Sequence, residues 1–360
     1  MTTSNESTVT RFARVLRVDD HIIHVSTTTG VESCTPPSID LACGDLVRIQ
    51  GGAIIDWVRP NRATRPIEEQ DWWRIHRVLP VLRQRTDLLH KLRQWFLEQD
   101  FLEVDTPILT AHPGLEVHLQ PIQTRVCDQV RYLITSPEFH MKRLLSAGLE
   151  RIYYLGKSFR DDEKGRHHHP EFTMLEWYRT DAEPSDLMSD VETIVALATG
   201  EQRQWVRISV HEALARWGTP TDDPDDIVRQ LVEYVEPNLV ELGAVFLTDY
   251  PASLASLARL NSDDPTTSAR FEAYVDGVEL ANGFGELTDP VEQRERFEQD
   301  LNRRRALGLP VFPMDESFLD ALGAGLPPCA GIALGIDRLI MLATNTDRIA
   351  DVVCFPPDLA

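Results

Sequence analysis

Two pairs of strand-like runs joined by short polar segments restrict the fold of this chain more than any other feature. RIYYLGKSFR and EFTMLEWYR are separated by the polar loop DDEKGRHHHP, and RFEAYVDGVELANGF contains an Asp276-Gly277 turn signal. Strands that follow each other through such short connections pair antiparallel. The sequence therefore predicts a sheet that is antiparallel at its centre.

Residues 1–65 differ from the rest of the chain. They hold five short β-rich runs between Gly, Pro and Asp turn signals, which are RFARVLRV, HIIHVSTT, VESCT, DLVRIQG and AIIDWV. Seven Arg and seven acidic residues cancel within this segment, so the whole net charge of −21 lies downstream. We expect a small all-β, barrel-like domain over 1–65, a linker over 66–78 and a second domain over 79–360.

The second domain mixes helices with strands, which gives an α+β fold class. Leu89, Leu92 and Phe96 recur at helical spacing, and EVDTPIL then becomes extended at Pro107. This pattern predicts a helix from about residue 81 to 99, followed by a strand. Near the C-terminus, GIALGIDRLIMLATN predicts a short apolar strand that runs into a helix.

Composition excludes several classes of protein. Acidic residues number 57 against 36 basic residues, which disfavours a protein whose main task is to grip nucleic-acid phosphates. No run of about 18 apolar residues and no secretory signal is present, so we expect a cytoplasmic protein without a membrane partner. The five cysteines are scattered and form no C-x-x-C pair, which predicts free thiols rather than disulfides or a zinc site.

Strand alternation in EFTMLEWYR puts an aromatic ring and an acid on one face. Phe172, Met174, Glu176 and Tyr178 share that face, which suits a flat heteroaromatic ring on Phe172 and a cationic group near Glu176 and Tyr178. A half-buried strand with Glu176 exposed to solvent fits the same pattern equally well. The three consecutive histidines in the preceding loop point in different directions, so contact with an anion is favoured over metal ligation.

A turn at Asp276-Gly277 predicts the register of the second hairpin. It pairs Val275 with Val278, Tyr274 with Glu279, and Glu272 with Ala281. Glu272 and Glu279 then face each other, and two carboxylates with phosphate oxygens form a usual Mg²⁺ environment. The alternative is a solvated acidic edge, which the apolar neighbours make less attractive.

Two further features depend on local geometry. Simple alternation places Asn282 and Glu286 on the face opposite the acidic pair, unless Gly283 introduces a bulge. Arg338 lies in the first turn of the C-terminal helix, where the helix dipole favours anions. A phosphate bound there would interact with both the helix terminus and Arg338, whereas a surface ion pair is the simpler alternative.

Together these motifs resemble the catalytic domain of class II aminoacyl-tRNA synthetases, and within that class the lysyl group. LEVDTP is similar to motif 1, SFRDDEKGRHHHPEF to motif 2, and GIALGIDRL to motif 3. TSPEFHMKRLL, HHHPEFTMLEWYR and GVELANGFGELTD are closer to the elongation factor P lysine ligases, paralogues of lysyl-tRNA synthetase that attach (R)-β-lysine to a lysine of that factor. The resemblance implies a class II synthetase-type antiparallel sheet flanked by helices.

The resemblance also implies roles for individual residues. Arg160 and Arg338 would act in catalysis and bind ATP. The ATP-binding set would be completed by Asp162, His168 and Phe172. Magnesium would be held by Glu272 and Glu279. The residues around a lysine or β-lysine substrate would be Ser136, Glu138, Glu176, Tyr178, Asn282, Glu286 and Ala333. Asp162 stands where the family usually has Glu, and His169 stands where Asn is common.

These implications lead to one expected function and two alternatives. We expect an ATP- and Mg²⁺-dependent ligase that activates lysine or (R)-β-lysine as an adenylate and transfers it to a lysine of elongation factor P, acting as a homodimer. The alternatives are a lysyl-tRNA synthetase and a catalytically silent paralogue. The zero net charge of residues 1–65 disfavours tRNA as a partner. Ala333 also favours the ligases, which share this Ala, whereas lysyl-tRNA synthetases carry Gly at the position.

Overall fold

The structure of the chain, a computed structural model, describes residues 9–19, 22–35, 37, 40–59, 71–161 and 163–359. The chain divides into two units. One contains the residues up to Gln84 together with those from Val353 onwards, and the other is Arg85–Val352. Within the described ranges, no helix has the length and apolar character needed to cross a membrane.

The first unit contains a five-stranded antiparallel sheet. Its strands are β1 (Arg11–Val18), β2 (Ile23–Thr27), β3 (Gly30–Cys34), β4 (Leu46–Gln50) and β5 (Ala53–Arg59), in the order β3-β2-β1-β4-β5. An isolated parallel bridge between Thr35 and Ala53 links the two edges of the sheet. Alternate residues such as Val15, Val25 and Val47 are fully buried in its core. All five strands predicted from the sequence are confirmed.

Helix α1 spans Ile75–Glu98 and begins earlier than the sequence predicts. A 3₁₀ turn over Asp71–Arg74 precedes it, so regular structure occupies positions 71–78 of the predicted linker. The remaining linker positions, 66–70, lie outside the described residues. Pro80 lies inside the helix, where proline usually removes a backbone hydrogen bond, and this explains why the sequence pattern underestimates the helix.

The second unit is built on an eight-stranded sheet in the order β12-β13-β14-β15-β16-β11-β10-β6, with a three-stranded sheet in the order β7-β9-β8. The strands are β6 (Leu102–Glu103), β7 (Leu109–Thr110), β8 (Gln123–Val126), β9 (Gln129–Leu133), β10 (Arg151–Phe159), β11 (Glu171–Thr180), β12 (Trp205–Ser209), β13 (Ala244–Pro251), β14 (Thr267–Val275), β15 (Val278–Gly285) and β16 (Cys329–Gly335). Every pair from β13 to β10 is antiparallel, as predicted, and the pairs β12–β13 and β10–β6 at the two ends are parallel.

Helices flank this sheet, as the α+β prediction requires. They are α2 (Glu138–Ser146), α3 (Pro184–Thr199), α4 (Val210–Trp217), α5 (Pro224–Gln230), α6 (Glu236–Leu239), α7 (Pro290–Ala306), α8 (Glu316–Gly325) and α9 (Ile336–Thr344). Phe139 of α2 stacks on Phe318 of α8 at 4.6 Å, and Phe297 of α7 packs beside both rings. This aromatic core anchors the N-terminus of α2 and the middle of α7.

Candidate active site

A cavity of about 440 Å³ lies over the central strands β11, β15 and β16. Phe172 and Met174 line it from β11, and Glu176 and Tyr178 continue the same strand face, as alternation predicts. Ala333 of β16 pairs with Glu176 on one side and with Asn282 on the other. Ala333 therefore lies in the floor of the cavity, in a volume typical of small-molecule sites.

A β-bulge in the β14–β15 hairpin corrects the predicted register. Val275 pairs with Val278 and Tyr274 with Glu279, as predicted, but the next pair is Ala273 with Ala281. Glu272 consequently pairs with Asn282 and not with Ala281. The extra residue is Leu280 rather than a position near Gly283, and it brings Glu279 and Asn282 to the same face.

The bulge changes the prediction for two substrate-side residues. Simple alternation put Asn282 and Glu286 on the face opposite the acidic pair, and that arrangement is wrong. Asn282 lines the cavity together with Glu279 and Phe284. Glu286 lies two residues beyond Phe284 and shares its face, which aligns the acidic hairpin with the rest of the site.

Glu272 and Glu279 lie on one face of this hairpin. Glu272 accepts hydrogen bonds from Arg270 Nη2 at 2.8 Å and from the Tyr274 hydroxyl at 2.7 Å. Burial and the neighbouring charge of Glu272 raise the pKa of Glu279, which Arg338 partly offsets. In the described part of the chain, no group of three or more His, Cys, Asp or Glu side chains could hold a metal ion. Two repelling carboxylates nevertheless fit Mg²⁺, which usually takes one or two carboxylates plus substrate phosphates.

Arg338 connects the acidic hairpin to the histidine loop. As predicted, it lies in the first turn of α9. Its Nη1 donates to the Glu279 carbonyl at 2.8 Å, and its Nη2 donates to His168 Nε2 at 2.5 Å. Burial and the adjacent Arg338 lower the pKa of His168, so this imidazole is neutral and accepts the bond. The guanidinium therefore stays in the cavity wall, where an anion can reach it.

Arg160 follows β10 and provides a second cation. Its guanidinium lies 5.2 Å from the centre of the Phe172 ring, and its Nη1 donates to Glu163 Oε1 at 3.4 Å. Both Arg160 and Phe172 line the cavity. Asp162, the third residue predicted in this loop, lies outside the described residues. One end of the cavity thus combines two guanidinium groups with an exposed aromatic face, a combination that suits a nucleotide triphosphate.

A set of buried carboxyl groups adjoins the cavity beside Ser136 and Glu138. Glu176 is almost fully buried and accepts hydrogen bonds from the Ser136 hydroxyl at 2.7 Å and the Tyr178 hydroxyl at 2.8 Å. Burial, reinforced by the charge of Glu138, raises the pKa of Glu176 to about 8. The same burial raises the pKa of the Tyr178 hydroxyl, so Tyr178 remains a hydrogen-bond donor at neutral pH.

Lys142 is a buried cation that the sequence analysis missed. It is fully buried in α2, and its Nζ lies 2.6 Å from Glu138 Oε1 and 2.6 Å from Glu286 Oε2. Burial alone would lower the pKa of Lys142, but the two carboxylates outweigh burial and raise it. Burial raises the pKa of Glu286 to about 8 despite this partner. The i,i+4 spacing of Glu138 and Lys142 is the only signal in the sequence for this arrangement.

The structure sorts the predicted site residues into two groups. Those lining the cavity are Ser136, Glu138, Arg160, His168, Phe172, Glu279, Asn282, Ala333 and Arg338. Those outside its lining are Glu176, Tyr178, Glu272 and Glu286; the first three lie on strands that also contribute a lining residue, and Glu286 directly follows β15. Glu176, Tyr178 and Glu286 are joined to the lining residues by the hydrogen bonds and ion pairs described above. Glu272 acts on the lining residue Glu279 through its charge.

Comparison with known proteins agrees with this architecture. The family model described as tRNA synthetases class II (D, K and N) matches residues 69–359. Proteins named elongation factor P (R)-β-lysine ligase from Salmonella typhi and from Salmonella agona (strain SL483) are each 40% identical over 325 residues, which covers 82% of this chain and the whole of each relative. The chain therefore belongs to the class II tRNA synthetase family of the aspartate, lysine and asparagine group, and within it to the elongation factor P (R)-β-lysine ligases.

Proposed function

We propose that this enzyme uses ATP to activate (R)-β-lysine or lysine as an aminoacyl-adenylate and transfers the aminoacyl group to a lysine side chain of elongation factor P. The observation that carries the proposal is the polarity of the cavity. Arg160 and Arg338 line it together with Phe172, and the lining residues Ser136 and Glu138 are joined to the buried carboxyl groups of Glu176 and Glu286. A triphosphate matches the two guanidinium groups, and an amino acid with two ammonium groups matches the carboxyl groups.

The residues of the cavity suggest how activation proceeds. Phe172 stacks the adenine, Arg160 holds the α-phosphate and the substrate carboxylate, and Arg338 holds the γ-phosphate. The carboxylate attacks the α-phosphorus, a bond from oxygen to phosphorus forms, and pyrophosphate leaves. Positioning and charge neutralisation suffice for this step, so no covalent protein intermediate is needed.

We propose that Glu272 and Glu279 hold Mg²⁺ when the nucleotide is bound. A bound Mg²⁺ supplies positive charge beside the triphosphate. The two carboxyl groups lie on the same face of the hairpin. Glu279 pairs with Arg338, which we assign to the triphosphate, whereas Glu272 pairs with Arg270. Transfer then follows when the acceptor amine attacks the carbonyl carbon of the adenylate, an amide bond forms, and AMP leaves with loss of a proton from the amine.

Pyrophosphate exchange without tRNA tests activation directly. We expect exchange with a lysine isomer alone, because every proposed substrate contact lies within residues 136–338. Glu279→Gln should abolish exchange while thermal stability holds or rises, since the variant weakens Mg²⁺ binding but relieves the repulsion from Glu272. Exchange that requires tRNA, or a Glu279→Gln variant that melts early and keeps full exchange, would contradict the proposal.

A further inference from the structure

One wall of the cavity comes from a loop that a buried arginine fixes in place. Arg304 of α7 is fully buried, and its Nη1 donates to the carbonyl oxygens of Glu116, Val117 and Leu119 at 2.8, 3.0 and 3.1 Å. Glu116, Val117, His118 and Leu119 all line the cavity. A single guanidinium that binds three carbonyls within four residues leaves this backbone little freedom, so the position from which the Glu116 side chain starts is fixed as well.

The Glu116 carboxyl group has no donor for one of its oxygens. Its Oε2 is buried and has no hydrogen-bond partner in the part of the chain that the structure describes. The carboxyl lies close against Gly114, where an added methyl group would be 2.4 Å from Oε2. A buried carboxylate oxygen without a donor is costly, which indicates that a ligand supplies the missing bond.

Three donors of the buried carboxyl cluster are already engaged. Lys142 binds Glu138 and Glu286, while the hydroxyls of Ser136 and Tyr178 bind Glu176. Glu116 shares both the main cavity and a small adjoining recess of about 20 Å³ with Ser136 and Glu138. A donor on a bound ligand can reach Glu116 through the cavity, and a cation suits a carboxylate best.

The charges around Glu116 indicate which part of the substrate it meets. Burial and Glu138 raise the pKa of Glu116 to about 7, and the positive charge of Arg160 acts in the opposite direction. Glu116 thus lies within electrostatic reach of both Glu138 and Arg160. Arg160 is the residue that holds the substrate carboxylate in the proposed function, so the substrate atoms nearest Glu116 are those close to that carboxylate.

We propose that Glu116 is a specificity-determining residue that accepts a hydrogen bond from the substrate ammonium group nearest the substrate carboxylate. This assignment rests on the proposed function, because it requires a diamino acid in the cavity. The carboxyl groups then have different tasks: Glu116 binds the amino group near the reacting carboxylate, whereas Glu176 and Glu286 bind the distal one. The distance between the two sites selects a substrate that carries both groups.

The experiment compares two substrates in pyrophosphate exchange. Lysine and β-lysine both carry an amino group near the carboxylate, and 6-aminohexanoate keeps only the distal one. We expect Glu116→Gln to raise the KM of the preferred diamino acid roughly 10- to 100-fold, as loss of a hydrogen bond between charged groups does. The KM of ATP and the exchange rate with 6-aminohexanoate should stay as in the wild type.

A second readout does not depend on turnover. The preferred diamino acid alone should raise the Tm of the wild type, and it should raise the Tm of Glu116→Gln distinctly less. The matched control is Glu295→Gln, which removes the same charge from an exposed position of α7 and should behave as the wild type.

Two results would overturn the assignment. One is an unchanged KM for the diamino acid in Glu116→Gln, and the other is an equal loss with the diamino acid and with 6-aminohexanoate. Both differ from failure of the proposed function, in which the wild type itself exchanges pyrophosphate with no lysine isomer.

Discussion

At the scale of single residues, the substrate end of the cavity holds more carboxyl groups than cations. Glu138 and Glu286 contact the buried ammonium of Lys142, and the charge of Glu138 also acts on the carboxyl groups of Glu116 and Glu176. Burial raises the pKa of Glu116 to about 7 and the pKa values of Glu176 and Glu286 to about 8. Without a ligand, these groups retain protons near neutral pH.

This excess of carboxyl groups predicts an unusual pH dependence of stability. An acid whose pKa is higher in the folded chain than in the unfolded chain stabilises the fold at low pH, and that stability is lost as the pH rises through the folded pKa. The free energy of unfolding of the ligand-free enzyme should therefore fall as the pH rises from about 5 to 8. Saturating diamino acid should oppose the fall, because its ammonium groups stabilise the ionised carboxylates.

Thermal melts at a series of pH values, with and without the amino acid, check this prediction. The variant Glu176→Gln is the matched control, because it removes one of the titrating groups and should flatten the ligand-free profile. A ligand-free stability that rises steadily from pH 5 to pH 8 would contradict the account.

The sequence predicts those of these residues that lie within a recognisable motif. Glu138, Glu176 and Glu286 follow from the resemblance of their surrounding motifs. Lys142 does not, because a lysine on an amphipathic helix is ordinarily exposed, and only its two carboxylate neighbours make burial possible. Glu116 carries no motif of its own, and its position depends on Arg304, which lies 188 residues further along the chain.

At the scale of elements, the strand β16 shapes the cavity through small side chains. Gly331, Ala333 and Gly335 alternate with the buried Ile332 and Leu334. A methyl group at Gly331 would lie 2.1 Å from the Tyr178 ring and 2.4 Å from Glu286 Oε1. Small residues on this face therefore leave room for the substrate pocket, while the large ones face the core.

Ala333 contributes the one methyl group among these three positions, and it should influence which lysine isomer fits. We expect Ala333→Gly to shift the preference towards α-lysine, because the amino group of β-lysine lies one carbon further from the carboxylate. A difference of about 1.4 kcal/mol would change the kcat/KM ratio tenfold. Ala330→Gly makes the same change on the opposite face of β16 and serves as the control. A kcat/KM ratio that is the same in Ala333→Gly and the wild type would contradict this role.

Sequence patterns predict the regular elements here better than their irregularities. The five strands of the first unit, the hairpins around residues 160–170 and 276–277, and the β16–α9 transition are all as predicted. The bulge at Leu280 is not, because a bulge arises from strand packing and not from a local residue signal. That bulge brings Asn282 to the same face as Glu279. The motifs therefore identify the residues of the site, but strand alternation alone does not predict which of them share a face.

At the scale of the whole molecule, the second unit leaves a group of large apolar side chains exposed around the segment that resembles motif 1. Leu97 of α1 is 66% exposed and Leu102 of β6 is 54% exposed, and Ile108 and Leu109 are exposed nearby in the chain. In a monomer these residues would face water, and β6 lies at one end of the eight-stranded sheet. A symmetric contact with a second copy would cover them.

We therefore expect a homodimer at micromolar concentration, with α1 and the segment through Pro107 in an isologous contact. Light scattering measures the mass directly. Leu102→Glu should yield a monomer with reduced activity, whereas Val291→Glu, which introduces the same charge at an exposed apolar position of α7, should leave the dimer intact. A fully active wild-type monomer would contradict this prediction.

The choice of acceptor is the central claim about the molecule as a whole, and one measurement tests it most directly. Elongation factor P and tRNA are incubated together with the enzyme, ATP and each lysine isomer, and both acceptors are analysed by mass spectrometry. We expect the mass of elongation factor P to rise by one lysyl or β-lysyl group on a lysine side chain while the tRNA stays uncharged. Charged tRNA beside unmodified elongation factor P would contradict the account and would identify a lysyl-tRNA synthetase instead.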